Sequence, residues 1–108
     1  MSIEIGSKAP NLELSDWVQG LPTNIDQLLG NVIVVEVFQV NCPGCFLYGL
    51  PQAVNLHEKF KDKGVKVIGV ATAFEDYDKN TLDNLRSLIS EGKVIGETYK
   101  ALRQHGKL

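Results

Sequence analysis

Several features are scarce in this 108-residue sequence, and each scarcity argues against a class of protein. Its two cysteines are too few for the disulfide scaffold of a small secreted domain. The longest apolar run, residues 32–38, is too short to span a bilayer and contains Glu36. The 11 basic and 13 acidic residues give a net charge of −2, so neither nucleic acid nor a membrane is expected as a partner.

Two further absences bear on location and on metal binding. Residues 1–20 lack a basic region followed by an apolar stretch, so no secretory signal is expected, and the cytoplasm is the expected compartment. His57 and His105 are the only histidines, and their positions do not give zinc-ligand spacing with the two cysteines. We therefore expect no metal and no cofactor, with a zinc site as the weaker alternative.

The two cysteines form the motif Cys42-Pro43-Gly44-Cys45, directly after an apolar run. Residues 32–40 are rich in β-branched side chains and apolar on both alternating faces, which predicts a strand covered on both sides. Pro43 suits the first turn of a helix, so Cys42 is expected at a helix N-terminus, where free N–H groups favour a thiolate. We predict that Cys42 attacks disulfides and that Cys45 resolves the resulting mixed disulfide.

Glu36 is the third candidate site residue, because it lies inside the apolar strand, six residues before Cys42. Burying an unpaired carboxylate is costly, which favours its neutral form and equips it to take a proton from Cys45 during resolution. The alternative is that Glu36 faces a sheet edge or pairs with a lysine. For the cysteines, the alternative is a structural disulfide, although so small a loop would stabilise the fold little.

The remaining patterns predict one α/β domain over residues 1–108. A helix is expected over residues 43–63, kinked at Pro51 and ended by Gly64, and a second strand over residues 65–73, giving a right-handed β-α-β unit. The flanking elements predicted are an edge strand at residues 12–14, a helical turn over 25–29 capped by Asn24, a helix capped by Asp78 or Asn80 and ended by Gly92, and a helix over 95–104.

These residues resemble the thioredoxin-like superfamily over most of residues 5–92, above all its redoxin branch of TlpA- and ResA-type reductases and peroxiredoxins. Residues 5–14 are similar to the Gly-x-x-Ala-Pro-x-x-x-Leu opening of that branch, residues 25–35 to its lead-in to the central strand, and residues 61–70 to the strand after its active-site helix. The resemblance implies a disulfide oxidoreductase with Cys42 attacking and Cys45 resolving. Glu36 stands where thioredoxins keep a buried aspartate.

The sequence also departs from the family pattern. Asn41 replaces the tryptophan usual before the first cysteine, and Pro43-Gly44 reverses the usual order, so a redox potential cannot be carried over. The peroxiredoxin Pro-x-x-x-Thr-x-x-Cys pattern is missing. Because no proline follows Pro51, we expect a partial domain that lacks the cis-proline segment and C-terminal hairpin. Its uncovered sheet edge would favour a homodimer.

The sequence therefore predicts an α/β, thioredoxin-like β-α-β core with an N-terminal extension. Its predicted function is thiol–disulfide exchange through the Cys-Pro-Gly-Cys dithiol, with a protein or small-molecule disulfide as substrate and a separate thiol reductant. Two alternatives stay open. One is a redoxin-type thiol peroxidase with an antioxidant role, in which Cys42 reacts faster with peroxide than with a disulfide. The other is a non-catalytic interaction module that keeps the fold.

Overall fold

The computed structural model describes residues 4–107, and its centre is a pair of parallel strands joined through helical segments. The elements in chain order are a 3-10 turn Ile25–Leu28, strand β1 Val32–Phe38, a π-helical turn Cys45–Gly49, helix α1 Leu50–Phe60, a 3-10 turn Lys61–Lys63, strand β2 Val65–Ala71, helix α2 Leu82–Glu91 and helix α3 Gly96–Gln104.

The predicted β-α-β unit is confirmed by the pairing of its strands. β1 and β2 run parallel, with Val32 opposite Val65 at one end and Phe38 opposite Ala71 at the other. Parallel strands need a long crossover, which the π-helical turn and α1 supply. Gly64 ends the crossover with φ 76°, a left-handed conformation that glycine adopts without strain. The buried apolar side chains are Phe38, Val40, Leu47, Ala53, Ile68 and Leu102.

The expectation that β1 is covered on both faces is wrong for the described residues. Val35 and Val37 share one face of β1 and are 37% and 54% exposed, and within residues 4–107 the strand pairs only with β2. The opposite face, which carries Phe38, contacts the π-helical turn. An apolar pattern indicates that a strand can be buried on both sides, but it does not indicate which segment of the chain covers each side.

The single kinked helix expected over residues 43–63 is also corrected. The chain instead forms the π-helical turn Cys45–Gly49, then α1, then a 3-10 turn, and Pro51 lies in the first turn of α1. A proline has no N–H to donate, so it is accommodated where one helical bonding pattern gives way to another. The predicted end at Gly64 is correct.

The edge strand expected at residues 12–14 does not form. The side-chain amide of Asn24 accepts from the Leu12 N–H at 2.8 Å and donates to the Leu12 carbonyl at 3.0 Å. The backbone groups of Leu12 that a neighbouring strand would use are therefore already bonded. Asn24 also caps the turn Ile25–Leu28, as the sequence predicts.

Helix α2 begins with a different cap from either of the two expected. The Thr81 hydroxyl accepts from the Asn84 N–H at 3.2 Å, and Gly92 ends the helix with φ 69°, as predicted. Asn80 instead bonds the carbonyls of Glu75 and Asp76. A polar residue just before a helix has several possible partners, and here the loop competes successfully for Asn80.

Substitution of Thr81 tests whether this residue caps α2. Thr81→Ala should lower the free energy of unfolding by about 1 kcal/mol, because the Asn84 N–H then loses its side-chain partner. Thr81→Ser is the matched control and should keep most of the stability, since it retains the hydroxyl. Urea denaturation followed by circular dichroism measures both, and equal midpoints for Ala and Ser would show that Thr81 is not the cap.

Candidate active site

The structure brings the two cysteines together at the strand-to-helix junction. Cys42 and Cys45 form a disulfide with their Cα atoms 5.3 Å apart, within the usual range for such bonds. Both side chains are half-buried, so the pair is partly open to solvent. The structure therefore holds the oxidised state of a dithiol on the surface of the β-α-β unit.

Cys42 lies at the N-terminal end of the helical segment, as the sequence predicts. Its carbonyl accepts from the Phe46 N–H at 3.3 Å, and its Sγ accepts from the Cys45 N–H at 3.3 Å. Pro43 follows in the first turn, where no N–H is needed. The Cys42 sulfur thus takes the place that a capping oxygen usually occupies, and the helix end would stabilise a negative charge on that sulfur.

Glu36 reaches the same helical segment from the strand below it. The half-buried Glu36 carboxylate contacts Gly49, at the end of the π-helical turn that begins with Cys45. A Cβ at position 49 would overlap the carboxylate, so only glycine leaves room for it. A lysine partner for Glu36 is not seen within residues 4–107, where the ion pairs join Glu58 to Lys61 and Glu97 to Lys100.

An aromatic contact fixes the start of the helical segment on the strand. The rings of Phe38 and Phe46 meet edge to face, with centroids 6.5 Å apart and an interplanar angle of 88°. Phe46 directly follows Cys45, and Phe38 ends β1. This pair packs the segment that carries the dithiol against the sheet, which limits how far the two sulfurs can move relative to Glu36.

Sequence reasoning missed a buried polar cluster directly before Cys42. Gln39 Oε1 accepts from the N–H groups of Phe74 and Glu75 at 3.0 and 3.3 Å. The Thr98 hydroxyl, which is fully buried, donates to the Val40 carbonyl at 3.2 Å. The segment that leads into the dithiol is therefore tied to the β2–α2 loop and to α3.

Asn41 makes the largest number of these bonds. Its N–H donates to Asn80 Oδ1 at 2.8 Å, its Nδ2 donates to Asp76 Oδ2 at 3.1 Å, and its Oδ1 accepts from the Glu97 N–H at 3.0 Å. The residue is only 6% exposed. The available signal was a polar residue at the end of an apolar run, immediately before the first cysteine, but its partners lie 35 or more residues away in sequence.

Between residues 4 and 107, no three His, Cys, Asp or Glu side chains are grouped in a way that would hold a metal ion. In that same part of the chain, no helix combines the length and apolar character needed to cross a membrane.

Two solved structures have a similar fold. A thiol-disulfide isomerase from Corynebacterium glutamicum is 42% identical, with a TM-score of 0.68 over 78% of this chain and 56% of its own. The thioredoxin-like superfamily protein SPOA0173 is 34% identical, with a TM-score of 0.72 over 79% of this chain and 56% of its own. A curated relative, Protein FixW of Rhizobium leguminosarum, is 38% identical over 74 residues, which are 68% of this chain and 33% of that protein.

A parallel β-α-β unit with a Cys-x-x-Cys disulfide at the start of its crossover defines a thioredoxin-like redox protein, and the two solved structures share this fold. The chain belongs to the AhpC/TSA family, whose model matches residues 5–103. It spans about a third of the curated relative and just over half of each solved chain, since it covers 33% and 56% of them.

The position of Cys42 predicts its titration in the reduced protein. Iodoacetamide should alkylate Cys42 with a half-maximal rate below about pH 8.5, the value for a free cysteine, because the helix end and the Cys45 N–H stabilise the thiolate. Cys45→Ser leaves Cys42 as the single thiol for this measurement. A midpoint at or above that of a free cysteine would show that the helix end does not activate Cys42.

Proposed function

We propose that this protein is a thiol–disulfide oxidoreductase in which Cys42 attacks and Cys45 resolves. The observation that carries the proposal is the Cys42–Cys45 disulfide at the start of a helix, with the Cys45 N–H directed at the Cys42 sulfur. Such a site stabilises the attacking anion and keeps the second sulfur within bonding distance. The similarity of this chain to the thiol-disulfide isomerase from Corynebacterium glutamicum supports the same proposal.

The exchange takes place in two balanced steps. The Cys42 thiolate attacks one sulfur of a substrate disulfide, so that a mixed disulfide forms on Cys42 and the other substrate sulfur leaves as a thiolate. Cys45, after losing its proton, attacks the Cys42 sulfur, which forms the Cys42–Cys45 disulfide and releases the second substrate thiolate. The substrate gains two electrons and the dithiol loses two. A separate thiol reductant then restores the dithiol.

Glu36 would act as the proton acceptor in the second step. Its carboxylate lies against Gly49, at the far end of the helical turn that begins with Cys45. General acid–base transfer can run through one water molecule, and this is the route we propose for the Cys45 proton. The position of the half-buried carboxylate against the turn that begins with Cys45 supports this role.

The two-step scheme predicts a trapped intermediate. Cys45→Ser should react once with a disulfide substrate such as oxidised glutathione and then hold it as a mixed disulfide, because no second sulfur can release it. Mass spectrometry should show the adduct on Cys42. Cys42→Ser is the matched control and should form no adduct, whereas rapid turnover by Cys45→Ser would rule out resolution by Cys45.

The role of Glu36 predicts a separation of the two rates. Glu36→Gln should slow release of the second substrate thiolate by about a hundredfold, the lower end of the usual contribution of an acid–base group, while initial attack by Cys42 stays near the wild-type rate. Stopped-flow kinetics of both steps measure the ratio. Equal slowing of both steps would remove Glu36 from the proton transfer.

Gly49→Ala tests the same role without changing the carboxylate. The added Cβ would displace the Glu36 side chain, so this variant should slow resolution in the same direction as Glu36→Gln. The rate of initial attack by Cys42 is the internal control and should stay near that of the wild type, because the attacking sulfur is unchanged. Normal resolution by Gly49→Ala, with its folding verified, would contradict a role for the observed carboxylate position.

A thiol peroxidase is the second candidate function, and the match to the AhpC/TSA family supports testing it. In that reaction the Cys42 thiolate attacks one peroxide oxygen and the O–O bond breaks, which gives a sulfenic acid on Cys42 and releases water or an alcohol. The Cys45 thiol then attacks the sulfenic sulfur, which forms the Cys42–Cys45 disulfide and releases a water molecule. Both reactions end in the same Cys42–Cys45 bond. The second-order rates of the reduced protein with hydrogen peroxide and with oxidised glutathione distinguish them, and a much faster peroxide reaction would favour the peroxidase.

A further inference from the structure

The segment that leads into Cys42, the β2–α2 loop and the start of α3 meet at Asn41, the residue immediately before Cys42. Its backbone N–H is held by Asn80 and its Nδ2 is bonded to Asp76, both in the β2–α2 loop. Its Oδ1 accepts from the Glu97 N–H at the start of α3. The backbone and both polar atoms of the Asn41 side chain are therefore fixed by groups distant in sequence.

The N-terminus of helix α3 accommodates the Asn41 side chain. The N-cap residue before it, Ile95, offers no side-chain cap, so the amide oxygen of Asn41 supplies the missing acceptor from another part of the chain. Gly96 has φ 55°, and a Cβ there would lie 2.7 Å from Asn41 Oδ1. A side chain at position 96 would therefore displace the amide group of Asn41.

The bonds to Asn41 bear on Cys42 through the backbone. A residue whose N–H and side chain are both held has little freedom in its backbone dihedrals, and these dihedrals set the direction of the next residue. The Cys42 sulfur must point along the helix start to accept from the Cys45 N–H at 3.3 Å. In the oxidised protein the disulfide itself holds that direction, but reduction removes this covalent link.

We propose that Asn41 is a positioning residue for Cys42, which keeps the free sulfur directed at the Cys45 N–H after the disulfide has been reduced. This inference deepens the proposed thiol–disulfide exchange and rests on it for its functional meaning. Asn41 touches no substrate and transfers no proton. It acts by joining the Cys42 backbone to the β2–α2 loop and to α3.

The test is the alkylation of Cys42 by iodoacetamide over a range of pH, in a Cys45→Ser background with a single thiol. Asn41→Ala should lower the rate at pH 7 about tenfold, the effect of losing one hydrogen bond to a charged group, by moving the midpoint of the profile upward. At pH values above the midpoint the rate should return to that of the parent. A purely structural role predicts no change in the midpoint.

Asn24→Ala is the matched control, because the side chain of that asparagine also bonds backbone groups, but within residues 4–107 those groups belong to Leu12 and Ile25 and not to the cluster around Asn41. Its profile should match the parent even if it is less stable. Asn80→Ala is the second variant, since it removes the acceptor of the Asn41 N–H without a change of charge. It should move the midpoint in the same direction as Asn41→Ala, and it decides the question if Asn41→Ala fails to fold.

Two results would overturn the proposal: an unchanged midpoint in the folded Asn41 or Asn80 variant, or an equal shift in Asn24→Ala. The measurement needs no substrate disulfide, so it is independent of catalysis. If the wild-type protein fails to exchange disulfides, the proposed function is wrong, while a midpoint shift would still show positioning by Asn41. If the wild type is active and the midpoints do not move, only the positioning role is wrong.

Discussion

The candidate site depends on one constraint, which is that the Cys42 sulfur must lie at the N-terminus of the helical segment, four residues after the end of β1. The pairing of β1 with β2 fixes the end of the strand at Phe38, and Pro43 favours the start of a helix directly after Cys42. The Cys45 N–H then has the Cys42 sulfur as its acceptor. Every other feature of the site, including the reach of Glu36, uses the rigid frame that this junction provides.

Much of the frame could be predicted from the sequence because its signals are local. A β-branched run, a proline after a cysteine and a glycine at position 64 each act through neighbouring residues, and they gave the order of the elements and the first residue of each strand correctly. The strands were expected to reach residues 40 and 73, but they end at Phe38 and Ala71. Cys42 and Cys45 were identified in the same way. The AhpC/TSA match and the two solved structures then agree with the thioredoxin-like fold that these signals indicated.

The parts that could not be predicted depend on which of several available partners a polar side chain bonds. Asn24 occupies the backbone of Leu12 and so prevents a strand, and Asn80 bonds its own loop while Thr81 caps α2. The polar cluster around Asn41 joins segments that no periodicity connects. The side-chain amides are the common element in these errors, because they satisfy whichever backbone groups the tertiary fold brings near them.

The wide turn Cys45–Gly49 has a consequence for the rest of the crossover. In a regular α-helix each residue rotates the chain by about 100°, so one additional residue in a turn re-aims everything that follows it. The side of α1 that meets the sheet is therefore set by the length of the turn beside the two sulfurs. Loss of one residue there would rotate α1 about its axis and present a different side of the helix to the sheet. The turn that begins with Cys45 therefore also determines how the rest of the crossover packs.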